Sequence, residues 1–414
     1  MHILISCVGS AGDVHPFITI GCALARRGHE VELLTSPHFG PRIEAAGLAF
    51  TPVGTEADYQ RIVQRAALWD PRRSFPVLWQ EMQPRLIQAH RTLLSRVQTG
   101  RTVLVGSTLA WPVRLAQETH GLPAVTVHLS PICMFSALAP AVLPALGDLT
   151  GWPAPLVRLI QHSVESGFID RVIAPGFDEI RRSLGLPPVR RVMSRWVNSP
   201  QRVVCAWPQW FAAAQADWPA QALTAGFPRW SAAGASLDPS LVDFLDDGPM
   251  PVGFTPGSAM AHGRGFFEQA LAACAALNRR AVLITAYADQ LPRPLPRFAH
   301  AVSYAPFDLL LPRLAALVHH GGIGTTAQAL AAGVPQGLVP FAHDQFDNAT
   351  RLVRRGVGVR MNRRDPVRHW ASALDRLLND PTIALACQRD AALMHDDRDA
   401  VERIADVIER QPAQ

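Results

Sequence analysis

Two stretches of this chain carry side chains whose types and spacing could do chemistry. The first is HHGGIGTTAQALAAGVPQGLVPFAHDQFDN, residues 319–348. An apolar strand runs into His320, Gly321, Gly322 and Gly324 permit close backbone approach, and Thr325 and Thr326 open a helix that ends at Gly333. Unsatisfied N–H groups and the positive end of a helix dipole then converge on one spot, which makes an anion site. A histidine and two hydroxyls beside it point to a phosphate. The spacing is not G-x-x-x-x-G-K-[ST] and no lysine stands here, while residues 9–12 read G-S-A-G instead of G-x-G-x-x-G, so the P-loop and dinucleotide folds are disfavoured.

The second stretch is SAGDVHPF, residues 10–17, which follows the apolar run ILISCVG. Asp13 stands on a glycine-flanked loop where a strand hands over to a helix. It either caps that helix, with Pro16 at the first helical position, or takes a proton from a reacting hydroxyl. His15 is the rival base, and His2, at the start of the strand, is too far away. The one D-x-D, Asp397-Arg-Asp399, falls in a charged C-terminal helix and reads as a solvated face, so no metal or other cofactor is expected.

Short apolar runs alternating with helical patterns must position these groups: HILISCV, VELLT, TVLVGS and AVTVHLS in the first 130 residues, then PVGFTPG, AVLITAY, ALVHHGG and QGLVPF from 251 onward. Such alternation predicts an α/β protein with two doubly wound, Rossmann-like parallel-sheet domains, which bind ligand in a cleft outside the carboxyl ends of their strands. The expected organisation is an N-terminal domain over 1–225, a Gly-, Pro- and Ser-rich linker over 226–250, a second domain over 251–395 and a helical segment over 396–414. Within 131–225, Trp152, Leu156, Ile160, Val164 and Phe168 share one side at helical spacing. They form a core face, or else the lining for a lipophilic substrate or a patch that touches a membrane surface.

At 414 residues, 48% hydrophobic and 18% charged, the chain has a globular composition of two or three domains' length. Its formal charge of +5 comes from scattered arginines, which argues against a nucleic-acid partner. Six cysteines without a C-x-x-C pair, and no signal peptide at the start, suggest a reducing, cytoplasmic location. The apolar stretch 132–146 is interrupted by Pro140 and Pro144 and is too short to span a bilayer.

The block at 319–348 resembles the donor-binding signature of two-domain, GT-B, nucleotide-sugar glycosyltransferases, with its H-G-G opening, G-V-P turn and D-Q pair in order. The resemblance implies that the two domains face each other across a cleft, the first binding acceptor and the second donor. It implies that His320, Gly322, Gly324 and Thr325 contact the diphosphate, Gln328 the ribose, and Asp344 and Gln345 the sugar hydroxyls. Ser258 matches a small residue that also touches phosphate, Tyr304 an aromatic that stacks on the pyrimidine, and Phe307 replaces a frequent glutamine. Gln328 stands where many relatives carry Glu, which hints at a deoxyribose donor such as a dTDP-sugar over a UDP-sugar. In many relatives the position of Asp13 is a histidine partnered by an aspartate. Ser107 occupies the partner position here, consistent with Asp13 as a direct carboxylate base in an inverting, metal-independent displacement. The C-terminal helix packs back towards the first domain in the resembled class.

Within that class the chain is most similar to the rhamnosyltransferase family of rhamnolipid biosynthesis, through GSAGDV at 9–14, LWDPRRSFPVLW at 68–79, SPQRVVCAWPQWF at 199–211 and AGFP at 225–228. That family implies L-rhamnose transfer from dTDP-rhamnose to the hydroxyl of a 3-(3-hydroxyalkanoyloxy)alkanoate, an apolar acceptor tunnel over residues 70–170, and peripheral contact with the inner membrane surface. Other readings are a transferase acting on a flavonoid, sterol or polyketide, a non-catalytic nucleotide-sugar-binding regulatory module, and a nucleotide-sugar epimerase.

Overall fold

The computed structural model describes residues 1–411 apart from 145, 232 and 233. The chain divides into two compact units, Met1–Trp230 joined by the segment from Asp399 onward, and Ser231–Arg398. The first holds a seven-stranded, all-parallel sheet of β1 (His2–Ser6), β2 (Glu30–Thr35), β3 (Ala49–Pro52), β4 (Thr102–Ser107), β5 (Ala124–His128), β6 (Arg202–Cys205) and β7 (Ala222–Thr224), in the order β3-β2-β1-β4-β5-β6-β7. The second holds six parallel strands, β8 (Val252–Thr255), β9 (Ala281–Ile284), β10 (Ala299–Val302), β11 (Ala316–His319), β12 (Gln336–Leu338) and β13 (Gly358–Arg360), in the order β10-β9-β8-β11-β12-β13.

The central strands are apolar runs because helices cover both faces of each sheet, and Ile3, Leu4, Ile5, Val103, Leu104 and Val105 are fully buried. Each sheet winds outward in both directions from its middle, so its switch point lies between β1 and β4 in the first unit and between β8 and β11 in the second. Asp13, Ser107, Ser258 and His320 stand at or just beyond the carboxyl ends of those four strands.

Six helices matter below: α1 (Ala11–Arg26), α2 (Ala154–Val164), α3 (Asp170–Ser183), α4 (Ile323–Ala332), α5 (Gln345–Arg355) and α6 (Ala400–Glu409). The helix α6 belongs to the first unit. Arg27 on the C-terminal turn of α1 meets Glu402, Asp406 and Glu409 at 2.6, 2.7 and 2.8 Å, and Arg403 donates to the Ala225 carbonyl at 3.0 Å. Residues 412–414 of the expected C-terminal segment, and 232 and 233 of the expected linker, lie outside the described residues. Within 226–250, Pro239–Asp246 is helical and buries Leu241 and Leu245 in the core of the second unit.

Several local expectations need correction. Pro16 is not the first helical residue: α1 begins at Ala11, and Pro16 lies in its second turn, where it gives up one backbone hydrogen bond. The helix after β11 begins at Ile323, two residues before Thr325, because Gly324 enters its first turn. The apolar runs named from the sequence also miss β3. The Asp397-Arg-Asp399 motif sits in the turn between Pro381–Asp396 and α6, not inside a helix. The apolar positions of α2 are also out of phase with the face read from four-residue spacing. Val157 is buried with Ile160 beside it, whereas Trp152, Leu156 and Phe168 are exposed. A π-helical turn at Glu165–Ile169 before α3 adds to the phase shift.

Candidate active site

In the first unit, four residues separate β1 from α1, and the chain turns there through Gly9 at φ 140°. Ser10 is the N-cap of α1 and Asp13 its third residue, so the pair forms a capping box. The Ser10 amide donates to Asp13 Oδ2 at 2.8 Å and the Ser10 hydroxyl donates to the same oxygen at 3.0 Å. The carboxylate therefore lies in the first turn of α1 and not on the loop itself, with one oxygen engaged twice. A Cβ on Gly9 would come within 2.3 Å of Asp13 Oδ2, so only glycine leaves room for the carboxylate. Burial raises the Asp13 carboxyl above the usual carboxylate range, and the two bonds from Ser10 act against that rise.

Ser107 at the end of β4 accepts a bond from the Val8 amide at 3.3 Å, so it braces this loop and does not touch Asp13. His15, two residues on, packs against Trp230 at 5.2 Å between ring centres and has a buried Nε2 with no hydrogen-bond partner. Burial, with Arg42 and His38 nearby, pushes its pKa down to about 3, so it is neutral at physiological pH. His2 is bonded to Thr102 Oγ1 at the far end of β1.

In the second unit, β11 ends at His319 and the next three residues, His320, Gly321 and Gly322, lead into α4. The Thr326 amide closes the first helical bond to the Gly322 carbonyl at 2.9 Å, leaving the amides of Ile323, Gly324 and Thr325 without an intrahelical partner. These amides and the helix dipole make the amino end of α4 suitable for an anion. The His320 ring is held against two glycines. A Cβ at Gly322 would lie 2.2 Å from its Nε2, and one at Gly257, which has φ +105°, 2.9 Å from its Cε1. Burial, with His319 beside it, lowers the His320 pKa to about 3. A neutral imidazole there can donate one hydrogen bond to a phosphate oxygen.

Ser258 is exposed in the turn after β8, one residue beyond the glycine that touches the His320 ring. Gln328 is half-buried on α4. Asp344 stands at the N-cap of α5, and Gln345 opens that helix with its side-chain oxygen accepting from the amides of Phe341 and Ala342 at 2.7 and 3.1 Å. Tyr304 is exposed after β10, whereas Phe307, at the start of Phe307–Leu310, packs in part against the core of the second unit.

Asn348, given no role from sequence, ties these pieces together: its amide donates to the Gly321 carbonyl at 2.9 Å and to Asp344 Oδ2 at 2.8 Å. The signal was its place four residues after Asp344, one turn along the same helix face. The roles of Gly9 and Gly257 were hidden, because they depend on what lies over the Cα. Among the described residues no group of three or more His, Cys, Asp or Glu could hold a metal ion.

Residues 3–121 match the glycosyltransferase family 28 N-terminal domain, and residues 268–409 match the C-terminal domain of the erythromycin biosynthesis protein CIII-like family. Over 94% of its length the chain is 29% identical to the O-mycaminosyltylonolide 6-deoxyallosyltransferase of Streptomyces fradiae, covering 92% of that protein. It is also 29% identical to glycosyltransferase GtfE of Amycolatopsis orientalis, over 87% of this chain and 85% of that one. Among solved structures, the glycotransferase of kitacinnamycin superposes with a TM-score of 0.75 at 22% identity over 99% of each chain. The spinosyn rhamnosyltransferase SpnG, solved with thymidine diphosphate, superposes with a TM-score of 0.66 at 19% identity over 96% of each chain. The two parallel-sheet units thus have the GT-B architecture.

Proposed function

We propose that this chain, a glycosyltransferase of the family 28 and EryCIII-like superfamily, moves L-rhamnose from dTDP-L-rhamnose to the hydroxyl of a lipophilic acceptor such as a 3-(3-hydroxyalkanoyloxy)alkanoate. Asp13 is the general base of this reading. The observation that carries it is the capping box: Ser10 occupies Oδ2 of a carboxylate set in the first turn after a switch-point strand, which reserves Oδ1 for a proton. The acceptor oxygen, as its proton passes to Asp13, attacks the anomeric carbon, and the bond to the diphosphate breaks with inversion. The diphosphate charge is met by the amides of Ile323, Gly324 and Thr325, by neutral His320, and by Ser258, while Gln328 holds the ribose and Asp344 and Gln345 the sugar. Tyr304 and Phe307 border the base. His15 is a weaker base candidate, since a ring nitrogen pushed to about 3 holds a proton poorly.

The thymidine nucleotide is supported by Gln328, since a carboxylate there would suit two ribose hydroxyls, and the deoxysugar by a relative whose name specifies deoxyallose transfer. That same relative favours a second reading, in which the acceptor is a polyketide aglycone. Six free cysteines suit a cytoplasmic enzyme.

The test is mass spectrometry of products from purified protein given dTDP-rhamnose or UDP-glucose with the hydroxyalkanoyloxyalkanoate or a macrolide aglycone. Rhamnosylated lipid from the dTDP donor alone is the expected result. Glycosylated macrolide without lipid product would move the acceptor to the second reading, and sugar transfer only from UDP-glucose would overturn the donor.

A further inference from the structure

The arginines of this chain are not evenly spread, for residues 351–364 hold six of them and no carboxylate. That run closes α5 and makes β13, the outermost strand of the second sheet. Along β13 lies an open cleft of about 490 Å³, bounded by the end of α5, by β13 itself and by the helices Val367–Asn379 and Pro381–Asp396. Arg355, Arg360, Arg376 and Arg389 line it with Thr382, and no Asp or Glu does. Arg360, Arg376 and Arg389 are exposed.

Two carboxylates stand behind these four cations. Asp390, fully buried, accepts from Arg355 Nε at 2.5 Å and from Arg389 Nε at 2.8 Å, so one negative charge answers two guanidiniums. Asp380 accepts from the Thr382 amide and hydroxyl at 2.9 and 2.6 Å, and Arg376 Nε reaches it at 3.4 Å. Arg360 lies over the Phe346 ring, 5.5 Å from its centre. The remaining carboxylates of these elements do not line the cleft. Asp347 is paired with Arg351 at 2.7 Å, Asp375 accepts from the Asn379 side chain at 2.8 Å, Asp365 accepts from the Asn362 amide at 3.1 Å, and Asp396 ends its helix. Four positive charges against two negative ones in a recess focus a positive field on whatever enters it.

The strand adds donors to these cations. The Gln336 amide donates to the Val357 carbonyl at 3.0 Å and the Met361 amide to the Leu338 carbonyl at 2.8 Å, so the alternate residues Gly358 and Arg360, which both line the cleft, turn their N–H groups away from β12. We propose that this cleft binds a linear di- or triphosphate anion, its oxygens shared among the four guanidiniums and the outward amides of β13. A guanidinium fork matches two phosphate oxygens at once. A lone phosphate is too small to reach four arginines set around this volume, whereas a chain of two or three phosphates spans them. No aromatic ring lines the cleft, so a nucleic-acid strand would find nothing there on which to stack its bases. The cleft shares no residue with the groups assigned above to the sugar donor, and the proposal is independent of that assignment.

The test is calorimetric titration of the full chain with inorganic tripolyphosphate, and separately with inorganic phosphate, at low salt. Tripolyphosphate is expected to bind, and phosphate to bind more weakly. Arg360→Gln with Arg376→Gln is expected to weaken tripolyphosphate binding by about tenfold or more through lost charge-assisted bonds, with the melting temperature kept because both side chains are exposed. Arg158→Gln with Arg171→Gln, which takes the same charge from exposed positions of the first unit, should leave that binding unchanged. No binding by the wild type, or equal losses in the two double variants, overturns the proposal. Binding that Gly322→Ala removes and the Arg360 and Arg376 variant keeps would place the anion at the amino end of α4 and overturn it equally. Tighter binding of a short single-stranded oligonucleotide, lost in the Arg360 and Arg376 variant, would assign these arginines to nucleic acid and overturn it as well.

Discussion

An aspartate that caps a helix and also takes a proton must do the two tasks with different oxygens. In Asp13 both bonds from Ser10 end on Oδ2, so the proposed base role falls to Oδ1. Asp13→Asn keeps the shape of the cap and loses the base, so turnover should fall by roughly 10² to 10⁴ with the dissociation constant for thymidine diphosphate unchanged. A rate near normal in steady-state assays would remove Asp13 from the mechanism. The pH dependence follows from the sign of its shift. The base works ionised and its pKa is raised by burial, so activity should climb with pH along an acid limb centred above the usual carboxylate value. Ser10→Ala removes a bond that favours the ionised form, so its kcat profile should move that limb to still higher pH. The sequence left cap and base as rival readings of Asp13. The structure shows the cap, with both bonds on Oδ2, and no spacing rule separates the two oxygens of one carboxylate.

At the level of elements, each candidate group depends on a glycine that keeps space beside it. Gly322→Ala would press a Cβ to 2.2 Å from His320 Nε2, so nucleotide binding measured by calorimetry should weaken by tenfold or more, on the order of the 1–3 kcal/mol cost of overpacking. Gly9→Ala would instead displace Asp13 and strain a backbone at φ 140°, lowering kcat while nucleotide affinity stays. The strands that carry these groups were legible because β1, β4, β8 and β11 are buried on both faces and read as unbroken apolar runs. The outer strands β3, β7, β10 and β13 were not. The first three have no fully buried residue, and at three or four residues each they offer neither a run nor an alternation. The amino end of α4 was misplaced by two residues because Gly324, a poor helix former, is taken into the first turn where backbone freedom costs least.

For the molecule as a whole, buried histidines set the acid limit. His15 and His320 are held near 3, and His128 and His319 near 4, all by burial. The unfolded chain binds protons on these rings as pH falls through about 6.5, and the folded chain does not until well below it, so stability is lost over the window from about 6.5 to 4. Asp13 opposes this with a single raised carboxyl. Thermal melts at pH 7.5 and 5 should show a lower Tm at pH 5, and an unchanged Tm would mean that these rings are not sequestered.

The first unit is interrupted. Its sheet is written in residues 2–224, yet the helix that supplies Glu402, Asp406 and Glu409 to Arg27 is written after the whole second unit. On the ribosome, the domain begun first is thus the one finished last. For the time needed to add some 170 intervening residues, roughly ten to thirty seconds at usual elongation rates, Arg27 waits without its carboxylates and one flank of α1 stays bare to chaperones. The second unit, contiguous in the chain, can close on its own in that interval.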